Sequence, residues 1–352
     1  MIHFDIQPIS QAWLTQAQAH QDQLTKPPGS LGFLEEIGVR LAAIQQTLRP
    51  ALGKGAVVVC AGDHGVTAEA VSAYPSEVTA QMVLNFLAGG AAINQIAEVA
   101  GADVWVLDVG VNAPPLAEGG LGVRVRPGTG NILREPAMTR AEAEQAIRAG
   151  AEVARRAIAQ DATVLAAGDM GIGNTTAASA LTAALLGLDA KAVTGRGTGV
   201  DDARYQKKVQ VVATALRRAQ ARLGELAQAD PLEVLAELGG LEIAAIAGVF
   251  LAGAEAGLPL VCDGFPVTAG ALLACQIQPD VRDYLFAGHR SVEPGHTRQL
   301  EALGLRPILE LNLRLGEGTG AVLSFPVLRA AASVMAGMAT FSQAGVSQTM
   351  EP

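Results

Sequence analysis

Leu31, Leu34, Ile37, Leu41 and Ile44 recur at three- and four-residue spacing, the repeat of one buried face of an α-helix. The pattern predicts a helix over 30–48 with Ser30 as its N-cap, preceded by another over 8–24. Thr25-Lys-Pro-Pro-Gly-Ser30 joins them, a rigid turn that either orients Lys26 or merely connects two helices. The pattern changes at Ala56–Cys60, a short unbroken run of apolar and β-branched residues that reads as a strand buried in a parallel sheet. Asp103–Val109 and Thr163–Ala167 read as further strands. Ser76 caps a helix that follows the first strand. Thr139-Arg-Ala-Glu142 is a capping box opening a helix that runs to about Gln160. Strand, loop and helix alternate in this way when a parallel sheet carries helices on both faces. The expected class is therefore α/β.

Composition narrows the function. Half of the 352 residues are apolar but only 4% are aromatic, and the net charge is −9. Nucleic acid is an unsuitable partner for so acidic a chain, because phosphate binding along a duplex needs clustered Lys and Arg. Cys60, Cys262 and Cys275 are odd in number and lie in apolar runs, which reads as reduced core thiols. The five histidines show no metal spacing, and His289 and His296 are too loosely set to suggest one. Ala321–Phe341 is long and apolar, yet Pro326 and Arg329 interrupt it and a mid-membrane Arg costs roughly 2.5–3.5 kcal/mol. No membrane span is expected there. The N-terminus lacks a signal-peptide pattern, and the expected compartment is the cytoplasm.

The candidate chemistry sits in glycine-rich loops. Gly168-Asp-Met-Gly-Ile-Gly-Asn-Thr-Thr176 follows a predicted strand and opens a helix, so free amides and the positive end of the helix dipole converge on an anion. Asn174 stands where a P-loop has lysine, which disfavours ATP or GTP and suits a single phosphate. The glycine order also fails the dinucleotide fingerprint. A second loop, Thr194-Gly-Arg-Gly-Thr-Gly-Val-Asp-Asp202, precedes the helix with Lys207 and Lys208. Arg196 and Lys208 are phosphate contacts or solvated helix-end charges. Asp201-Asp202 lacks the preceding strand of a ribose-binding acidic pair, which disfavours a diphosphate–magnesium mechanism. Asp63 and His64 end the first strand, either shaping a pocket or forming a structural pair; Tyr74 and Met82 wall a pocket or pack in the core. Arg314-Leu-Gly-Glu-Gly-Thr-Gly320 presents Glu317 between glycines, either as a base brought close to a ligand or, by this stretch alone the simpler reading, as a solvated glutamate on a polar loop tip.

Taken in order, these stretches resemble the nicotinate-nucleotide–dimethylbenzimidazole phosphoribosyltransferase family. The resemblance rests on Thr25-Lys-Pro-Pro-Gly-Ser-Leu-Gly32, Ala61-Gly-Asp-His-Gly-Val66, Tyr74-Pro-Ser-Glu-Val-Thr-Ala-Gln-Met82 and Gly168–Thr176. It continues through Gly195–Asp202, Gly239-Gly-Leu-Glu-Ile-Ala-Ala245, Asp263-Gly-Phe265, His289-Arg-Ser291 and Arg314–Ala321. It spans residues 24 to 325.

The resemblance implies a Rossmann-like α/β domain over 50–315, a small helical domain from 1–49 and 316–352, and a homodimer. It implies transfer of the 5-phosphoribosyl group of nicotinate mononucleotide to 5,6-dimethylbenzimidazole or a related azole, with no metal or cofactor. Glu317 is the implied general base and Asp169 lies beside the base pocket. Met170, Gly171, Gly173, Asn174, Thr175 and Thr176, with Gly195, Arg196, Gly197, Thr198 and Gly199, are implied at the nucleotide, and Lys208 at its phosphate. Tyr74, Met82, Asp263, His289, Leu315, Gly316 and Gly318 complete the implied substrate site. Tyr74 and Met82 stand where other members carry Ser and Gln, which bears on the azole accepted. Leu241 stands where Phe is common. A nucleosidase that uses water, and a non-catalytic nucleotide sensor, are the rival readings.

Overall fold

The computed structural model describes residues 3–114, 124–197 and 199–347. Six strands form one sheet: β1 (Gly55–Gly62), β2 (Ala102–Gly110), β3 (Val164–Met170), β4 (Leu260–Cys262), β5 (Leu285–His289) and β6 (Pro307–Leu309). Their order is β2-β1-β3-β4-β5-β6 and every pairing is parallel. β1 is buried along its whole length between β2 and β3, as its unbroken apolar run requires. Helices cover both faces. Arg140–Ala159, Leu241–Glu255 and Phe265–Ile277 pack together as one layer; Glu77–Leu87, Ala92–Ala100 and Thr319–Leu323 belong to the other.

The capping box at Thr139 forms as expected: its hydroxyl accepts from Glu142 N–H, and Glu142 accepts from Thr139 N–H. Ser30 is not a cap. The helix begins at Phe33 after Gly32, whose φ of 56° turns the chain, and Glu35 takes the Gly29 and Leu31 amides. Glu35 also pairs with Lys26 at 2.8 Å, so Lys26 braces the turn, and it is not among the residues that line the cavity described below. Ser76 precedes its helix but makes no side-chain cap bond.

The terminal helices Gln11–Gln23, Phe33–Ile44 and Phe325–Gly337 pack on one another around Ala17, Val39, Ala42 and Met335. Ile37, Leu41, Ile44, Phe325 and Leu328 extend the sheet's own core. The boundary expected at 315/316 falls inside the loop that carries Glu317. Thr319–Gly337 is apolar and long enough to cross a membrane, but half of its most apolar window is buried within the fold. Arg329 interrupts it by donating to the carbonyls of Gly53 and Gly101. Cys60 and Cys262 are buried free thiols, and burial pushes both well above the usual thiol range.

Candidate active site

The strands deliver polar residues to one end of the sheet: Asp63 and His64 after β1, Asp169 in β3, Asp263 after β4 and His289 ending β5. This carboxyl edge is where open α/β sheets bind ligands. A cavity of about 370 Å³ lies there. Tyr74, Val78 and Met82 give it an apolar wall, Asp169–Ile172, Asn174, Thr175 and Gly197 a second, and Leu315, Gly316 and Glu317 another border.

Glu317 is placed by backbone geometry. Its own φ is +64°, between Gly316 and Gly318 at +88° each. A left-handed non-glycine residue costs on the order of 1–3 kcal/mol and persists only where its surroundings hold it. Here Asp263 is the anchor. Its Oδ2 accepts from Gly318 N–H at 3.1 Å, and its Oδ1 from Gly320 and Ala321 N–H at 2.7 and 3.0 Å. Glu317 N–H donates to the Asp169 carbonyl at 3.3 Å. Gly168 makes the approach possible, because a Cβ there would stand 2.3 Å from the Glu317 carbonyl oxygen. The Glu317 side chain accepts from Ile93 N–H at 3.3 Å. Burial raises its pKa above the ordinary carboxylate value, the Ile93 amide opposes this, and the negative Asp263 adds to it.

Asp169 is held differently. Asn174 Nδ2 donates to its Oδ2 at 2.7 Å, while Oδ1 is buried without a partner among the described residues. Burial, then the charges of Asp263 and Glu242, push it well above the ordinary range, with Glu317 adding to the effect. Two carboxyl groups on one cavity thus both hold a proton more tightly than ordinary carboxylates.

Beside the main cavity lies a pit of about 30 Å³ lined by Gly171, Ile172, Gly173, Asn174, Thr175, Arg196, Gly197 and Lys208. It sits at the N-terminus of the 13-residue helix Asn174–Leu186, capped by Gly173 in the left-handed region. Lys208 reaches it from helix Asp202–Leu223 and donates to Thr175 Oγ1 at 2.7 Å. Its side chain is 1% exposed, and burial pulls its pKa down to about 8, with Glu293 opposing. A buried ammonium above a helix N-terminus is a built anion site.

Of the residues expected from sequence, Tyr74, Met82, Asp169, Met170, Gly171, Asn174, Thr175, Gly197, His289, Leu315, Gly316 and Glu317 line the main cavity. Gly173, Arg196 and Lys208 line the pit. Thr176, Gly195, Gly199, Asp263 and Gly318 line neither. Asp263, expected at substrate, lies behind the wall because its oxygens are engaged with the Glu317 loop. Gly318 packs toward Val57. The Arg196 guanidinium bonds Asp202 and the Val200 carbonyl, and Thr198 is outside the described residues. His64 pairs with Glu242, not Asp63: its Nε2 lies 2.9 Å from Glu242 Oε1. Burial works against its charge, but Glu242 holds its pKa above the usual value. Asp63 accepts from Asn112 N–H instead. His296 is buried neutral, its pKa down to about 3 through burial and the neighbouring His289; Nδ1 accepts from Ser291 N–H and Nε2 contacts Thr268 Oγ1.

Sequence reading gave no role to Val78, Phe265, Ser291, Glu293 or Arg314, all on the cavity. Val78 sits one turn from Met82 and was legible from that spacing. Glu293, ahead of Pro294-Gly295, carries only the signature of a helix start.

A family model described as phosphoribosyltransferase matches residues 6–346. The nicotinate-nucleotide–dimethylbenzimidazole phosphoribosyltransferase of Thermus thermophilus is 64% identical over 95% of this chain and 98% of its own. The chain belongs to this family. The enzyme of the same name from Geobacter sp. M21 is 50% identical over 97% of both chains. The crystal structure of CobT from Thermus thermophilus superposes with a TM-score of 0.92 at 63% identity, covering 96% of this chain and all of the other. The Rossmann-like sheet expected from the motifs is therefore the family's fold, and the chain is a pentosyl-transferring enzyme.

Proposed function

We propose that the cavity holds nicotinate mononucleotide and a benzimidazole-type base together and transfers the 5-phosphoribosyl group between them, in cobalamin biosynthesis. The supporting observation is that Glu317 lines the same cavity as the anion loop 168–176. The phosphate lies in the pit, on the amides of the Gly171–Thr175 turn and Lys208. The azole ring lies against Tyr74, Val78 and Met82.

The chemistry follows from these groups. The pyridine nitrogen of nicotinate mononucleotide is already cationic, so nicotinate leaves with the bonding pair and needs no acid. An azole nitrogen attacks C1′ from the opposite face, and the β linkage becomes α. The azole's remaining N–H proton passes to Glu317, whose raised pKa makes it a stronger base than an ordinary carboxylate. The products are α-ribazole 5′-phosphate and nicotinate. Burial and the neighbouring carboxylates hold the Asp169 pKa well above the ordinary carboxylate range, which favours its neutral form over a second negative charge beside Glu317. Holding both reactants in one cavity removes much of the entropic barrier.

The chain acts in the cytoplasm; that it does so as a homodimer is supported by exposed Leu84 and Val99 on the helices over β2, an outer strand of the sheet. Light scattering of the purified protein tests the dimer. Incubation with nicotinate mononucleotide and a panel of benzimidazoles, followed by mass spectrometry, tests the transfer. Ribazole phosphate formation supports it; nicotinate release independent of azole would reassign the protein as a nucleosidase.

A further inference from the structure

Glu293 borders the main cavity beside Gly197, a residue that also lines the anion pit. It is 6% exposed and precedes helix Pro294–Leu303 as its N-cap residue. Oε1 accepts from Gly197 N–H at 2.8 Å. Oε2 is buried and has no partner among the described residues. Gly195 makes room for it, since a Cβ there would come within 2.2 Å of Oε2. A buried carboxylate oxygen without a donor is costly, so on a residue that borders a ligand cavity it marks a place where a ligand supplies the donor.

The chemistry of the site identifies that donor. A ribosyl phosphate whose phosphate lies by Lys208 and Thr175, and whose C1′ faces the azole near Glu317, must carry its sugar across the intervening wall. The sugar's donors are the vicinal 2′- and 3′-hydroxyls. We propose that Glu293 is the ribose-selecting residue of this cavity, its Oε2 accepting a hydrogen bond from one of these hydroxyls. Oε1 stays on Gly197 N–H, which fixes the carboxylate's angle and ties ribose recognition to the loop at the phosphate. Lys208, the cation acting on Glu293, keeps the carboxylate's charge partly balanced.

The inference rests on the function proposed above, and the test separates the two. Wild type and Glu293→Gln are assayed for nicotinate release with nicotinate mononucleotide and with its 2′-deoxy and 3′-deoxy analogues, at saturating dimethylbenzimidazole. Wild-type turnover of the parent nucleotide checks the underlying reaction by itself. A hydrogen bond to a charged group carries roughly 10- to 100-fold in affinity or rate. Wild type should lose about that factor in kcat/KM with one deoxy analogue, and Glu293→Gln should lose it already with the parent and little more with that analogue. Equal penalties for the deoxy analogues in both proteins, or none in wild type, overturn the assignment. Glu293→Asp, which keeps the charge on a shorter arm, should retain part of the discrimination; far-ultraviolet circular dichroism of each variant confirms that it folds.

Discussion

Replacing Asp263 by Asn separates two things that one residue does. In the native loop, three amides converge on its carboxylate: Gly318 on Oδ2, Gly320 and Ala321 on Oδ1. Asparagine keeps an acceptor for two of them and turns an NH₂ towards the third. A hydrogen bond to a charged group contributes about 1.5–3 kcal/mol, and the two survivors weaken when the charge goes, so the expected loss is roughly 3–5 kcal/mol, read from urea unfolding. Turnover should also fall, because the anchor that holds Glu317 in its left-handed conformation has slackened. The pH profile should move in the opposite sense. Burial raises the Glu317 pKa and the negative Asp263 raises it further. Since the base must be ionised, kcat/KM rises with pH through that pKa. Removing the Asp263 charge lowers it, so the acid limb extends to lower pH in an enzyme that is otherwise weaker. A limb that stays in place, or shifts to higher pH, would refute the claim that Asp263 tunes Glu317 electrostatically.

Other outcomes follow from the same geometry. Glu317→Gln should cut kcat by about 10²–10⁴-fold while the nucleotide KM, measured by steady-state nicotinate release, changes little. Lys208, with a pKa of about 8, loses its charge as pH rises, so the nucleotide KM should climb above that pH; Lys208→Met should raise KM at every pH and flatten that rise, leaving the azole KM nearly unchanged. Met82→Gln should shift preference from dimethylbenzimidazole towards unsubstituted benzimidazole, by about fourfold for each methyl group no longer buried against an apolar wall, in a competition assay read by chromatography.

The three long strands and the terminal helices were legible because their patterns are strong. β4, β5 and β6 were not, being three to five residues long in Gly- and Pro-rich surroundings. Helices Leu241–Glu255 and Phe265–Ile277 are apolar on all sides because other layers bury them, which erases the 3.6-residue period. Glu317 was legible because its flanking glycines are otherwise unexplained. Glu242 was not given a partner: its contact with His64 spans 178 residues, and no local spacing encodes such a pair. Ser30 misled because a glycine two residues later redirects the chain.

Asp169, Asp263 and His289 come from three neighbouring strands, β3, β4 and β5. Adjacent strands run about 4.8 Å apart, so the outer two stand roughly 10 Å apart. The interval between Asp169 and His289, which both line the cavity, is thus gauged by the hydrogen-bonded lattice of the main chain and not by any adjustable side group. Tyr74 and Met82 reach the cavity from a separate segment, the turn and helix that follow β1, so substitution there reshapes the apolar wall while those strand residues keep their separation.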